Sequence, residues 1–186
     1  MKVPSLEMDK GEVREALNAI RHPLRIAVDR AKNPFNIGSI IRTAHSFLAQ
    51  EIILIGTEPW YERAAMGMQR YENITEVATE REFLAYVEAS GRPLIAFEKD
   101  EAQCGLWESA MGEDAILCFG NEDSGLSPGI LEAAEEVVAI PMFGINHSYP
   151  VAVAAGMAMA EWARRYYAGG RVLYADTSQA VGGGET

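Results

Sequence analysis

Between Ile140 and Gly156 the chain combines three features that often meet at a ligand site. An apolar strand stops at Pro141, a loop rich in hydrogen-bonding groups follows, and a helix of mostly small residues comes next. In an α/β sheet, a strand end beside a helix N-terminus forms a corner where ligands bind. The adjacent His147 and Ser148 suggest a hydrolase only weakly, because side chains of sequence neighbours rarely face each other and no Gly-x-Ser-x-Gly elbow surrounds Ser148.

A second stretch with chemical potential runs from Asn33 to Arg42 and reads NPFNIGSIIR. Asn36 is predicted to cap a helix, and Arg42 then lies about 9 Å further along the helix axis at about 1.5 Å per residue. A helix N-terminus with an arginine nearby suits a phosphate or a ribose hydroxyl. The alternative is an ordinary helix cap beside a surface arginine.

The third stretch, Phe119 to Ser127, reads FGNEDSGLS. Its glycines have the separation of a phosphate loop, but Leu-Ser follows them where Lys-Ser or Lys-Thr is required, which excludes a nucleoside triphosphate site of that type. Gly120 would open the backbone to a ligand. Glu122 is a carboxylate at a strand end, where it could orient Arg42 or serve only as a turn residue.

These stretches are embedded in a regular alternation of strands and helices. Strands are predicted at 24–28, 51–56, 74–79, 93–98, 115–119 and 137–142, and helices at 5–21, 37–48, 81–90, 127–136 and 151–167. The alternation and the apolar strands predict an α/β fold with a mostly parallel sheet and helices on both faces. A short helical turn is expected at 105–111, and the long connection 57–73 is expected to be functional or mobile.

Composition narrows the class of protein. The 186 residues are predicted to form a helical extension at 1–23, one domain at 24–168 and a flexible tail at 169–186. The chain holds two cysteines and no secretory signal, which predicts a cytoplasmic location. The histidines and cysteines lack metal-ligand spacing, and the apolar run before Glu161 is too short to span a bilayer. We therefore expect neither a metal nor a membrane.

The charge distribution is uneven. The net charge of -11 argues against indiscriminate binding of nucleic acid. However, residues 1–43 contain eight basic and five acidic side chains, so they carry +3 and the remainder carries -14. A polyanionic partner, if there is one, is therefore expected at the N-terminal third, although on charge alone a merely solvated acidic protein is the better explanation.

Together and in this order, the three stretches resemble the SpoU/TrmH family of SPOUT RNA methyltransferases. Its motifs are Asn-x-Gly-x-x-x-Arg, then Gly-Asn-Glu-x-x-Gly-Leu-Ser, then Ile-Pro-Met followed by a loop and Ser-Leu-Asn-Val. The matching residues are Asn36, Gly38 and Arg42 in the first motif, Gly120, Asn121, Glu122, Gly125, Leu126 and Ser127 in the second, and Ile140, Pro141, Met142, Ser148 and Val151 in the third. The resemblance covers residues 24–167.

The resemblance implies a C-terminal trefoil knot, a homodimer and S-adenosylmethionine as the cofactor. It implies methyl transfer to a ribose 2'-hydroxyl of RNA, with tRNA favoured over rRNA because no separate N-terminal RNA-binding domain is expected. The cofactor residues that it implies are Phe97, Gly120, Ile140, Met142, Ser148, Tyr149 and Val151. The catalytic residues would be Arg42, Asn36 and Glu122, and the substrate-binding residues Asn36, Arg42, Ser148 and Arg30.

The chain departs from the family pattern at one position. Pro150 stands where the third motif has asparagine, which removes a side-chain amide and a backbone N–H from the substrate side. Proline suits the first turn of a helix, so the fold and the cofactor site are expected to survive. Two alternatives stay open: a non-catalytic dimeric protein that binds RNA or cofactor, and a methyltransferase with a target other than ribose.

Overall fold

The computed structural model describes residues 8–30, 33–121 and 124–167. Seven parallel strands form one sheet in the order β3-β2-β1-β6-β4-β7-β5. The strands are β1 (His22–Asp29), β2 (Ala49–Ile55), β3 (Ile74–Val77), β4 (Leu94–Phe97), β5 (Cys104–Gly105), β6 (Ile116–Phe119) and β7 (Glu136–Ala139). The helices are α1 (Lys10–Asn18), α2 (Pro34–Ser46), α3 (Glu80–Ser90), α4 (Pro128–Ala133) and α5 (Val151–Tyr167).

Both faces of the sheet are covered, which confirms the predicted α/β class. Along β1, Ile26 and Val28 belong to a core shared with α2 and α5, whereas Ala27 belongs to a second core shared with α3 and α4. Side chains alternate between the two faces of a strand, so a strand covered on both sides must be apolar throughout. Trp162 of α5 and Phe83 of α3 are the largest fully buried side chains of the two cores.

The start of α2 differs from the prediction. Asn33, not Asn36, caps this helix, and its side-chain oxygen accepts a hydrogen bond from the N–H of Phe35 at 3.1 Å. Pro34 follows at the first helical position, where its fixed φ and missing N–H are well tolerated. Asn36 therefore lies inside the first turn, and the prediction that it caps the helix was wrong.

Two further elements differ from the prediction. Cys104–Gly105 forms a short edge strand beside β7 that was not predicted. The turn predicted at 105–111 follows it directly, since the N–H groups of Glu108 and Ser109 donate to Gly105 O at 3.1 and 3.0 Å. The first helix spans only Lys10–Asn18, and a capping box between Asp9 and Glu12 fixes its start. Two residues cannot show the period of a strand, so pairing with β7 decides the state of β5.

The connection 57–73 is structured. It contains two 3₁₀ helices, Glu62–Ala65 and Met68–Arg70. The first packs directly on α2 at Gly38, where an added Cβ would lie 2.6 Å from Ala64 Cβ and 2.8 Å from Ala65 N. The glycine of the first motif therefore allows a second backbone to approach α2, which a larger residue would prevent.

The predicted domain boundaries at 23/24 and 168/169 stay predictions, and the predicted tail at 169–186 lies outside the described residues. No helix of the part that the structure describes is long and apolar enough to cross a bilayer. In the same part, His, Cys, Asp and Glu form no group of three or more that could hold a metal ion.

A carboxylate on α5 makes stability depend on pH. Glu161 is buried and accepts hydrogen bonds from Arg164 Nε and Arg165 Nε, both at 2.7 Å. Arg164 first, and Arg165 with it, lower the pKa of Glu161 to about 2, against the opposing effect of burial. In the unfolded chain this carboxylate has a pKa of about 4.3, so the unfolded chain binds a proton more tightly than the native protein does. The carboxylate therefore stabilises the native state fully above that pH, and the stabilisation is lost as the pH drops towards 2.

We therefore expect Glu161→Gln to lower the melting temperature at neutral pH, and the difference from the unchanged protein to shrink between about pH 5 and about pH 2. Thermal unfolding at a series of pH values measures it. Glu132→Gln, on exposed α4 surface, is the control. A difference that stays constant down to the lowest pH would contradict the assignment.

Candidate active site

A cleft of about 630 Å³ opens at the carboxyl ends of β4, β6 and β7, beside the start of α5. The structure brings all seven residues predicted for the cofactor to this cleft: Phe97, Gly120, Ile140, Met142, Ser148, Tyr149 and Val151. Small-molecule sites in proteins usually have volumes of about 300–1,000 Å³. The cleft is therefore large enough for a nucleoside with an amino-acid side chain.

Two aromatic rings stand where neighbouring strands end in the cleft. Phe97 ends β4, Phe119 ends β6, and the two residues are paired in register. Their rings are stacked, with centroids 4.8 Å apart and an angle of 16° between the planes. Both side chains are buried, with 9% and 1% of their surface exposed, so they form an apolar floor beneath the cleft.

The loop after β6 folds back on itself at Gly120. An added Cβ there would lie 2.5 Å from Leu126 N and even closer to the backbone of Gly125. Gly125 has a φ of +64°, in the left-handed region that favours glycine. The second motif thus needs its two glycines for one compact turn that closes on the cleft.

Side chains from other strand ends hold this loop. The carboxylate of Glu98, directly after β4, accepts hydrogen bonds from the N–H of Leu126 at 3.2 Å and of Lys99 at 2.9 Å. The Asn121 amide donates to Asp29 Oδ2, at the end of β1, at 3.2 Å. Three strands thereby fix one wall of the cleft.

The rim of the cleft is acidic, which the sequence analysis missed. Glu98, Asp100 and Glu101 line it together with a single lysine, Lys99, whose Nζ lies 3.4 Å from Asp100 Oδ1. Such a rim favours a cationic ligand over an anionic one. The sequence signal that could have shown it is a run of carboxylates directly after a buried strand.

Replacing Gly120 with alanine should destabilise the fold by about 1–3 kcal/mol, the usual cost of overpacking, and displace the loop. Affinity for a ligand of the cleft should fall at least about tenfold, since the new methyl group meets backbone that cannot move alone. Calorimetric titration and chemical denaturation measure the two effects. Gly112→Ala is the matched control, because a Cβ there meets nothing closer than 3.6 Å. Equal affinities for the two variants would contradict the argument.

A second hollow of about 510 Å³ adjoins the cleft. Its lining residues come from the starts of α2 and α5: Asn33, Pro34, Phe35, Asn36, Ser148, Tyr149 and Pro150. Ser148 and Tyr149 line both spaces, and the Tyr149 hydroxyl donates to Pro141 O at 3.0 Å. The structure thus places Asn36 and Ser148 together in the hollow, next to the cleft.

Pro150 lies where the sequence analysis expected it. Its carbonyl accepts hydrogen bonds from the N–H of Val153 at 2.8 Å and of Ala154 at 3.0 Å, so it starts α5 without breaking it. It also lines the second hollow. The departure from the family pattern therefore changes the chemistry of the hollow and leaves the helix intact.

Arg42 lies away from both spaces. It follows Asn36 by six residues, which turns its side chain about 120° around the helix axis relative to Asn36. The side chain is exposed and makes no hydrogen bond or ion pair within residues 8–30, 33–121 and 124–167. Its positive charge is available to an external anion.

The predicted site residue Arg30 lines neither the cleft nor the hollow. Arg30 is buried, donates to Gly56 O and lies 3.4 Å from Glu76 Oε2. It holds the ends of β1, β2 and β3 together, and its predicted role in substrate binding stays a prediction. Glu122 lies outside the described residues, so its predicted role stays a prediction.

One serine matches a hydrolase pattern without hydrolase geometry. Ser127 stands in Gly-Leu-Ser-Pro-Gly at 125–129. It caps α4, its oxygen accepting a hydrogen bond from the N–H of Ile130 at 3.3 Å. We therefore assign it to helix capping.

Comparison with known proteins agrees with this geometry. The model of the SpoU rRNA Methylase family matches residues 23–160. A 23S rRNA (uridine(2479)-2'-O)-methyltransferase of Streptomyces viridochromogenes is 29% identical over 178 residues, which cover 91% of this chain and 60% of the relative. A tRNA (guanosine(18)-2'-O)-methyltransferase of Aquifex aeolicus is 26% identical, covering 86% of this chain and 78% of the relative.

A solved structure shows the same fold. The SpoU methyltransferase AviRb from Streptomyces viridochromogenes, in complex with the cofactor AdoMet, superposes with a TM-score of 0.72 at 27% identity. The match covers 81% of this chain and 62% of that structure. The chain thus spans about three fifths of the length of this structure and of the rRNA methyltransferase named above.

Proposed function

Because the chain belongs to the SpoU rRNA methylase family, we propose that it is an S-adenosylmethionine-dependent methyltransferase that modifies a ribose 2'-hydroxyl of RNA. The observation that carries this proposal is the cleft at the ends of β4, β6 and β7, which is lined by every residue that the resemblance assigns to the cofactor. The adjoining hollow, with Asn36 and Ser148, offers a place for the ribose.

The cleft suits S-adenosylmethionine in three respects. The buried rings of Phe97 and Phe119 form an apolar floor for adenine, and the compact turn at Gly120 and Gly125 forms a wall beside it. The acidic rim favours a ligand with a sulfonium and an ammonium group. When bound, this cofactor supplies an activated methyl group on the sulfonium. The protein's own residues then have to align the ribose hydroxyl and manage its proton.

Arg42 is proposed to act on the RNA rather than on the cofactor. Arginine is always protonated, which makes it a poor general base. We assign it to stabilisation of the negative charge that develops on the 2'-oxygen, or to the adjacent phosphate. Asn36 and Ser148 would position the ribose, and Glu122 would orient the guanidinium.

The substrate is proposed to be a tRNA rather than an rRNA. Support comes from the tRNA methyltransferase of Aquifex aeolicus, of which this chain covers 78%, against 60% of the rRNA methyltransferase of Streptomyces viridochromogenes. A larger share of the tRNA enzyme therefore has a counterpart in this chain. A cytoplasmic location is proposed with this substrate.

The quaternary structure and the knot are proposed from the resemblance. A homodimer would cover the exposed apolar side chains of α5, Val153 and Met157. It would also let Arg42 of one protomer reach the hollow of its partner, since Arg42 points away from the hollow in its own chain. Light scattering of the purified protein measures the mass, and a monomer at working concentration would contradict the dimer.

One observation favours a second function. Pro150 lines the hollow where the family pattern has an asparagine, so a hydrogen-bonding group is lost beside the proposed ribose site. A non-catalytic dimeric protein that binds RNA or cofactor would retain the cleft and lose the chemistry. A methyltransferase with another target would retain both but yield a different product.

Titration with S-adenosylmethionine, followed by transfer of a labelled methyl group to total tRNA and to purified rRNA, separates these functions. We expect micromolar affinity, which is a binding free energy of about -8 kcal/mol, and a labelled methyl group on a ribose of tRNA. Binding without transfer would favour the non-catalytic protein, and label in a base would favour the other target. No binding at millimolar cofactor would contradict the cofactor site.

A further inference from the structure

Two aromatic rings stand exposed at the mouth of the second hollow. Phe35, in the first turn of α2, is 56% exposed, and Tyr61, before the first 3₁₀ helix, is 40% exposed. Their ring centroids are 4.8 Å apart and their planes are inclined by 51°. Phe35 lines the hollow next to Asn36. The pair thus presents apolar ring surface to solvent beside the proposed ribose site.

The backbone fixes this pair in place. The N–H of Tyr61 donates to Pro34 O at 3.0 Å, which ties the start of the 57–73 segment to the start of α2. Gly38 allows the 3₁₀ helix to lie against α2 one turn further on. Rings held by two backbones lose little entropy when a flat ligand stacks on them, so the pair is preorganised.

The 57–73 segment, which contributes Tyr61, also carries two arginines whose side-chain charges are not used inside the protein. The side chains of Arg63 and Arg70, on the two 3₁₀ helices, are exposed and make no hydrogen bond or ion pair in the part of the chain that the structure describes. By contrast, ion pairs between described residues involve six arginines, namely Arg21, Arg25, Arg30, Arg92, Arg164 and Arg165. The overall charge is negative, so such a group marks a place for a polyanion.

We propose that Phe35 and Tyr61 form a stacking platform for an unpaired base of the RNA, adjacent to the ribose in the Asn36 hollow, while Arg63 and Arg70 bind the flanking phosphates. Aromatic rings receive bases that are splayed out of a helix, and arginines hold the backbone. A base within a duplex is already stacked on its neighbours, so the platform selects a loop or a single strand. This inference rests on the proposed function.

The test uses a short single-stranded RNA of mixed sequence that contains 2-aminopurine, whose fluorescence falls when the base stacks. With the unchanged protein at low salt we expect binding with quenching. Phe35→Ala should weaken this binding about tenfold and abolish the quenching, because stacking on one aromatic side chain contributes about one to two powers of ten in affinity. Phe35→Tyr should restore both. A duplex of the same length should bind all variants alike.

Trp107→Ala is the matched control, since it removes an exposed aromatic ring from the turn after β5, at the other edge of the sheet. Cofactor binding and melting temperature of every variant are measured alongside. Quenching that persists in Phe35→Ala would overturn the platform. A change of oligomeric state in Phe35→Ala would also overturn it, because the ring pair would then be a contact between protein chains.

Kinetic measurements distinguish a failure of the platform from a failure of the proposed function. If the unchanged protein transfers methyl groups to RNA and Phe35→Ala does so with an unaltered KM for RNA, only the platform is wrong. If the unchanged protein neither binds the labelled RNA nor transfers a methyl group, both proposals are wrong. A KM for RNA raised about tenfold at constant kcat, restored by Phe35→Tyr, would support both.

Discussion

Replacing Arg42 with alanine should reduce methyl transfer to RNA at least about a hundredfold, the usual cost of removing a group that stabilises developing negative charge. The affinity for S-adenosylmethionine should stay within about twofold, because Arg42 lines neither the cleft nor the hollow. The melting temperature should not change, since the side chain is exposed and makes no hydrogen bond or ion pair within the described residues. Single-turnover kinetics with saturating RNA, together with calorimetry, measure all three.

Arg81→Ala is the matched control for this prediction. The side chain of Arg81 is also exposed and makes no hydrogen bond or ion pair with any described residue, but it lies on α3, on the opposite face of the sheet. The Arg81→Ala variant should transfer methyl groups to RNA at an unchanged rate. Arg42→Lys keeps the charge but loses the planar fork, so it should recover only part of the rate. Full activity of Arg42→Ala would remove Arg42 from the mechanism.

Replacing Glu72 with alanine should destabilise the fold by about 3–5 kcal/mol, the usual cost of leaving a buried charge without its partner. The side chain of Glu72 is fully buried and contacts Arg21 Nη1 at 2.7 Å and His45 Nδ1 at 2.7 Å. Arg21 is itself almost fully buried and also donates to Ala49 O and Tyr71 O. Without the carboxylate, the guanidinium stays buried with only carbonyl partners.

This carboxylate also matters for the candidate active site. His45 follows Arg42 by three residues on α2, so the two lie on neighbouring positions of one helix face. Glu72 therefore ties the end of the 57–73 segment to the part of α2 that carries Arg42. We expect Glu72→Ala, at a temperature where it is still folded, to lose methyl transfer more than cofactor affinity.

Urea denaturation of Glu72→Ala and of Glu62→Ala measures the effect on stability. Glu62 lies in the same segment, is exposed, and should change the free energy of unfolding by less than about 0.5 kcal/mol. If the two variants were equally stable, the buried contacts of Glu72 would contribute no more to the free energy of unfolding than an exposed carboxylate does. Unequal slopes of the denaturation curves would instead indicate a change in the compactness of the unfolded or native state.

The sequence by itself determined the class of fold and the family. Apolar strands that alternate with helices predict a parallel sheet covered on both faces, because period and polarity are local properties of the chain. The motifs around Gly120 and Ser148 likewise predicted a ligand corner, since strand ends in a parallel sheet meet at one edge, and the structure has a cleft there. Ser127 followed by proline predicted the start of α4 for the same local reason.

Other features depended on contacts between distant parts of the chain. The state of Cys104–Gly105 was set by pairing with β7, and the need for Gly38 was set by the 3₁₀ helix that packs on it. Arg30 reads as an available cation in the sequence, yet the ends of β2 and β3 enclose it. The pairing of Phe35 with Tyr61 joins residues 26 positions apart. Residue types and local periods carry no information about such partners, so only the tertiary structure could separate the buried arginine from the available ones and bring two exposed rings together.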